Sequence, residues 1–371
     1  MSNKTIPLGR VRNIPIYLDY SWFLIFILLT WSLAASYFPH EFPNWPVAEY
    51  WALGAITAIF LFISVLLHEL GHSFVARHYR IPVRSITLFL FGGVAQIASE
   101  PPSASAEFWI AIAGPLVSFA LGGLFAFAQP FTVGFAPLFG LVKYTAYINL
   151  VLALFNLIPG FPLDGGRVFR AIVWGVTHNQ HKATRIAGTT GQFIAFLFIA
   201  GGVWMLFTGN FGSGLWIAFI GWFLASAAKS QLQAQAVQEM LEGHTVSQAM
   251  SLNFSVVPAN LTLQELANDP ILGEGKRYLT VEEGGKVLGV IPPKKIQKVP
   301  HDRWTTTTAG MALDAVHESL SIQPDTQLWD ALEEMEMDGV SAEPVIADGE
   351  IEGVLSQEEI SRYLRSLQKV D

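Results

Sequence analysis

The five residues His68-Glu69-Leu70-Gly71-His72 have types and spacing that could do chemistry. On a helix, positions i and i+4 share a face, so both imidazoles can reach one divalent cation. Glu69 then stands beside that cation, where hydrolysis needs a general base. The surrounding run, VLLHELGHSFVA, is apolar, and ionisable groups in such a helix are costly and rarely kept without a role. The bland reading of the same pair is two satisfied core histidines. A metal site also needs a third ligand and an open position. The chain contains no cysteine, so that ligand must be His, Asp or Glu. Asp164 fits best, at the end of Asn156-Leu-Ile-Pro159-Gly-Phe-Pro162-Leu-Asp164-Gly165-Gly166. The prolines break a helix there, and the glycines let backbone approach closely. Its bland reading is a helix-cap aspartate before the segment GGRVFRAIVW. The remaining histidines carry less. His78 falls off the ligand face, and His178 and His181 lie in a basic loop.

These residues must be positioned by elements that sit in a membrane. Of 371 residues, 51% are hydrophobic and 14% charged, against about 25% charged in soluble domains. The charge is unevenly placed: residues 1–228 carry net +4 and residues 229–371 net −12. Six spans are expected at Ile16–Phe38, Trp51–Ala76, Glu107–Ala128, Phe139–Ile158, Gly188–Phe207 and Gly214–Ala228, each near the ~20 residues needed to cross. The N-terminus shows no cleavable-signal pattern, so the first span is expected to stay. Ten of the eleven Lys and Arg in this half fall on one side of the spans, which predicts a cytoplasmic N-terminus and a cytoplasmic C-terminal half. The eleventh, Lys143, can snorkel outward. Trp51, Trp174 and Tyr144 read as interfacial anchors. His68 comes 17 residues after Trp51, roughly 25 Å along a helix that enters from outside. That depth is near the inner face of a core about 30 Å thick, the face where Asp164 is also expected.

Residues 82–99 carry β-rich runs either side of Gly92-Gly93, a hairpin signal. At membrane depth such backbone must lie against protein or water. The alternative is an ordinary cytoplasmic loop. Residues 229–244 read as a polar helical linker. Two similar units then follow, 245–299 and 305–369, each with a short opening helix, a Pro-containing turn, a second helix, two strands and a closing helix.

The HELGH motif, the NLIPGFPLDGG segment and six spans resemble the site-2 protease family of intramembrane zinc metalloproteases. The repeated tail is similar to paired cystathionine-β-synthase-type (CBS) domains, which places the chain with the CBS-bearing subgroup. The expected fold class is an α-helical polytopic membrane protein with a membrane-associated β-hairpin and a C-terminal α/β tandem CBS domain. The resemblance implies a zinc-dependent endopeptidase that cuts membrane-protein substrates within or near their transmembrane helices. It implies that His68, His72 and Asp164 bind one Zn²⁺, that Glu69 is the general acid/base, and that Asn156 polarises the scissile carbonyl or binds substrate. It identifies Ala113-Gly114-Pro115 with a helix-start motif of structural role. For the tail it implies an adenine nucleotide ligand and a homodimer through residues 245–371. The usual nucleotide contacts follow Gly-x-x-Thr/Ser-x-x-Asp. The first unit has Gly289-Val-Ile-Pro-Pro-Lys-Lys295 in its place, without the hydroxyl or the acid, and the second has Gly353-Val-Leu-Ser356-Gln-Glu-Glu359.

Two other classes share some ingredients. A CBS-gated ion channel or transporter could use the His pair as an ion site, and such proteins often carry inverted repeats. No repeat relates spans one to three with four to six. An inactive metal-binding scaffold would have no need of Glu69.

Overall fold

The computed structural model describes residues 5–268, 278–296, 299–313 and 321–367. The chain divides into two compact units, Ser2–Gln233 and Ala234–Asp371.

In the first unit, strands β1 (Thr5–Val11) and β2 (Ile14–Asp19) precede helices α1 (Ser21–Glu41) and α2 (Val47–His78). Strands β3 (Val83–Phe89) and β4 (Gly92–Ile97) follow, then α3 (Ala104–Ala128), α4 (Ala136–Asn156), α5 (Asp164–Thr177), α6 (Gln180–Phe207) and α7 (Phe211–Leu241). Among the described residues, six helices are long and apolar enough to cross a membrane: α1, α2, α3, α4, α6 and α7.

The first expected span starts too early. Ile16–Asp19 belongs to a strand, because Ile14, Ile16 and Leu18 alternate inward at period two before the chain turns helical. The backbone amide of Ser21 donates to the Asp19 carboxylate at 2.8 Å as α1 begins. The fifth span starts earlier than hydropathy suggests, since α6 takes in the charged turn holding Lys182 and Arg185. The sixth, shortest in the sequence reading, is a helix of 31 residues that absorbs most of the expected polar linker.

The four strands form one sheet in the order β1-β2-β3-β4. β1 and β2 are antiparallel, joined at Arg12 and Asn13 with φ of 46° and 67°, as in a two-residue hairpin turn. β2 runs parallel to β3, pairing Ile16 with Ile86 and Leu18 with Leu88. The hairpin expected at residues 82–99 is present as β3 and β4. Ile14 and Ile86 pack on Leu70, and Leu18 and Leu88 pack on Val65, so the sheet rests on α2, the helix carrying the two histidines. β4 is left as an edge strand.

In the second unit, α8 (Val246–Ala249), β5 (Phe254–Pro258), α9 (Leu263–Asn268), β6 (Tyr278–Glu283), β7 (Lys286–Ile291) and α10 (Pro293–Ile296) come first. They are followed by α11 (Leu328–Asp338), β8 (Ala342–Ala347), β9 (Glu350–Ser356) and α12 (Gln357–Leu367). β5 is parallel to β6, which is antiparallel to β7. The second repeat reproduces this with the parallel bridge Ile322–Val345 and the β8–β9 hairpin. Each opening segment packs in the other repeat's core. Val246 and Ala249 join Leu328, Val345 and Leu355, while Ala309 and Ala312 join Val257, Leu279 and Ile291. The expected opening helix LDAVHESL falls, after Leu313, outside the described residues.

Candidate active site

α2 places His68 and His72 one turn apart, with ring centroids 4.9 Å apart. Both residues are 4% exposed. Each ring is held at its inner nitrogen by α3. His72 Nδ1–H donates to the Ile110 carbonyl at 2.7 Å, and His68 Nδ1 lies 2.9 Å from Ser118 Oγ. Fixing Nδ1 directs Nε2 outward, the arrangement metal-ligating imidazoles need.

The loop after α4 brings Asp164 to those two nitrogens. Its Oδ2 lies 3.0 Å from His68 Nε2 and 3.2 Å from His72 Nε2. Asp164 opens α5, yet the N-cap position is Leu163 and carries no side-chain cap bond. The carboxylate therefore serves the histidines and not the helix terminus. Gly165 and Gly166 make the close approach feasible, because a Cβ on either would fall on loop backbone of Leu157 or Gly160. Burial pushes the Asp164 carboxyl up, but the neighbouring imidazoles outweigh this and hold it below the usual carboxylate range. One atom from each of His68, His72 and Asp164 lies within 4.8 Å of the others, so the three could hold a metal ion. The donor set of two imidazoles and a carboxylate suits zinc, with a fourth position left for reactants.

Glu69 lies on the same turn of α2 against β4. A Cβ on Gly93 would stand 2.5 Å from Glu69 Cγ, so the strand passes directly over this side chain. The Ala95 amide reaches its carboxylate. Asn156 ends α4 and donates to the Leu152 carbonyl at 3.0 Å. His68, Glu69, His72, Asn156 and Asp164 all line one cavity of about 550 Å³, whose other walls are mostly apolar. The five residues singled out in the sequence thus come together.

Sequence reasoning missed the supports. Ser118 is fully buried and its role is visible only once α3 crosses α2. Ile110 acts through a backbone carbonyl, which leaves no signature in residue type. Ala113-Gly114-Pro115, expected at a helix start, lies inside α3. Its glycine is required by proximity: a Cβ on Gly114 would fall on Nε2 of both histidines. Arg167, counted in the sequence only among the basic residues on one side of the spans, also lines the cavity.

A polytopic helical protein with this triad beside a glutamate is, as a class, a membrane metallopeptidase. The Peptidase family M50 model matches residues 56–143 and 132–199, and a CBS domain model matches residues 314–366. The sll0528 protein of Synechocystis sp., which carries a zinc metalloprotease name, is 38% identical over 98% of this chain and 96% of its own length. Rip3 of Mycobacterium tuberculosis, named likewise, is 32% identical over 97% and 92%. The solved site-2 protease of Methanocaldococcus jannaschii is 31% identical, with a TM-score of 0.44 over 62% of this chain and 95% of that one. The chain belongs to Peptidase family M50 and is a multi-pass membrane zinc metalloprotease with a CBS-bearing tail.

Proposed function

We propose that the chain hydrolyses peptide bonds within or near transmembrane helices, with His68, His72 and Asp164 as zinc ligands, Glu69 as general acid/base and Asn156 facing the developing oxyanion. The observation that carries this is the meeting of three ligand atoms from segments about ninety residues apart, with both Nδ1 atoms already engaged. Zinc in that position supplies Lewis acidity, polarising a carbonyl and acidifying water. Glu69 takes the proton of the attacking water and delivers it to the departing amine. Asn156 lines the same cavity, which supports a role for its amide in stabilising negative charge on the carbonyl oxygen.

A helical substrate must unwind before its peptide bonds can be attacked. β4, an edge strand lying over Glu69, supports capture of the unwound segment by strand addition. The one-sided placement of Lys and Arg supports a cytoplasmic N-terminus and tail. Metal analysis of the purified protein beside Asp164→Ala, with cleavage of a tagged single-span substrate in parallel, tests the assignment. Stoichiometric zinc in the variant would refute it.

For the tail, likeness to paired CBS units supports a homodimer through residues 245–371 and some regulatory input, both checked by light scattering and activity of the full chain. An adenine nucleotide is not favoured at the second unit. Ser356 Oγ sits 2.7 Å from Tyr278 Oη and accepts the Glu359 amide at 3.2 Å. The Glu359 carboxylate accepts from Tyr278 Oη at 3.2 Å and from Arg362 at 2.5 Å. Tyr278, Ser356 and Glu359 are all buried. The hydroxyl and acid that a ribose or phosphate would use are thus engaged within the chain.

A further inference from the structure

Glu107, Ile110, Gly114 and Ser118 follow one another on α3 at intervals of three, four and four residues, which places them along one helix face. Three of them bear on the histidines as described. The fourth bears on the helix that supplies Asp164. Arg170 of α5 donates from Nε and Nη2 to Glu107 Oε1, each at 2.5 Å. Glu107 is 0% and Arg170 6% exposed. The same guanidinium lies 3.4 Å from Thr184 Oγ1 of α6 and 3.7 Å from Glu100. It also stands over the Phe161 ring, 5.7 Å from its centroid, in the loop leading to Asp164.

We propose that the Glu107–Arg170 pair is a positioning device for the metal site, setting where Asp164 stands relative to the two imidazoles. The inference rests on the metal assignment made above. Asp164 is six residues before Arg170, about 9 Å along α5. A helix end is free to swing unless something along its length is tied. Here the tie runs to α3, the same helix that holds both imidazoles at Nδ1. One element is therefore the common reference for all three ligands. Metal ligands tolerate displacements of only about 0.2 Å, so a shared reference has a direct use. Stability alone is a poor reason for the pair, because burying two charges costs about as much as their attraction returns. Apolar residues of similar volume would hold α5 against α3 as firmly but without fixing its rotation. Both donors converge on Oε1 in charge-assisted, directional bonds, which fix the orientation of the guanidinium on α5 as well as its distance from α3.

The test uses full-length protein in detergent, with Glu107→Gln and Arg170→Lys as conservative changes and His72→Ala as a control. Zinc affinity is read by chelator competition, ligand geometry by the visible spectrum of the Co²⁺-substituted protein, and fold by helical circular dichroism and melting of the metal-free form. We expect both variants to keep the wild-type helical signal without metal, Arg170→Lys melting near wild type and Glu107→Gln lower because it leaves a buried guanidinium short of its partner, and both to bind zinc ten- to a hundredfold more weakly with an altered cobalt spectrum. Zinc affinity within twofold of wild type in a folded variant overturns the proposal. So does a zinc loss matched by loss of helical signal, which marks the pair as a general brace. Wild type and His72→Ala binding zinc alike would instead overturn the metal assignment itself.

Discussion

Replacing Gly114 by alanine should weaken the site's hold on a metal while leaving the fold standing. The added Cβ would come 2.6 Å from His68 Nε2 and closer still to His72 Nε2. Neither ring can retreat freely, since Ser118 and the Ile110 carbonyl hold their far nitrogens. Relieving such overpacking costs about 1–3 kcal/mol, taken from ring displacement or backbone shift. If metal-free protein relaxes by turning the rings out, binding must reverse that relaxation. At 1.4 kcal/mol per tenfold, zinc affinity then falls by roughly five- to 150-fold. The assay is competition against a chromophoric chelator, with melting measured with and without zinc. The metal-free melting point should move little, and the zinc-induced rise should shrink. A folded Gly114→Ala protein with wild-type zinc affinity would show that the imidazoles do not meet at α3 as described.

Four further outcomes follow from the same geometry. Glu69→Gln should keep its zinc, measured by metal analysis, yet lose about 10²–10⁴-fold in cleavage rate, because only proton transfer is removed. Ser118→Ala should weaken zinc binding about tenfold by freeing the His68 ring, again by chelator competition. Val94→Lys, a charge at an exposed position of the edge strand β4, should lower cleavage of a single-span substrate with zinc content unchanged; equal cleavage would reject strand addition. In the tail, Tyr278→Phe should lower stability by about 1–3 kcal/mol, read by denaturant unfolding, since it strands the buried Ser356 and Glu359.

How much of this was legible in the sequence depends on how far each signal is local. His68, Glu69 and His72 sit within one helical turn and a half, so their spacing alone reports a shared face. Asp164 is 92 residues from His72, but Pro159, Pro162 and the following glycines mark it as a bend at a span end. The six spans were readable because about twenty apolar residues have few other uses. Their ends were not. The strand Ile14–Asp19 merges with the apolar run of α1, and the Lys182–Arg185 turn of α6 is helical without being apolar. The supports of the site escaped altogether. A carbonyl such as that of Ile110 has no residue-type signature, and the 63-residue separation of Glu107 from Arg170 leaves no periodic trace.

That asymmetry has a physical cause in the solvent. Inside a bilayer a polar group left without a partner costs several kcal/mol, so polar residues on a span are kept where they meet something. α3 shows the consequence. Glu107 and Ser118 are the charged and hydroxyl groups of its buried face, and both point to residues of the metal site or to the helix that completes it. The glycine between them stands where the two imidazoles come nearest. The stretch of α2 beside the site shows the same pattern: Ser64, His68 and His72 follow at intervals of four, with Asn149 donating to Ser64 Oγ at 3.0 Å one turn before the first histidine. A polar stripe on a membrane helix is thus informative even before its partner is known, since it directs the search to a second polar stripe on a facing helix. The candidate metal ligands are readable from two local motifs. Their supports could have been sought by asking which other span carries polar or missing side chains at matching intervals, and α3, at positions 107, 114 and 118, does.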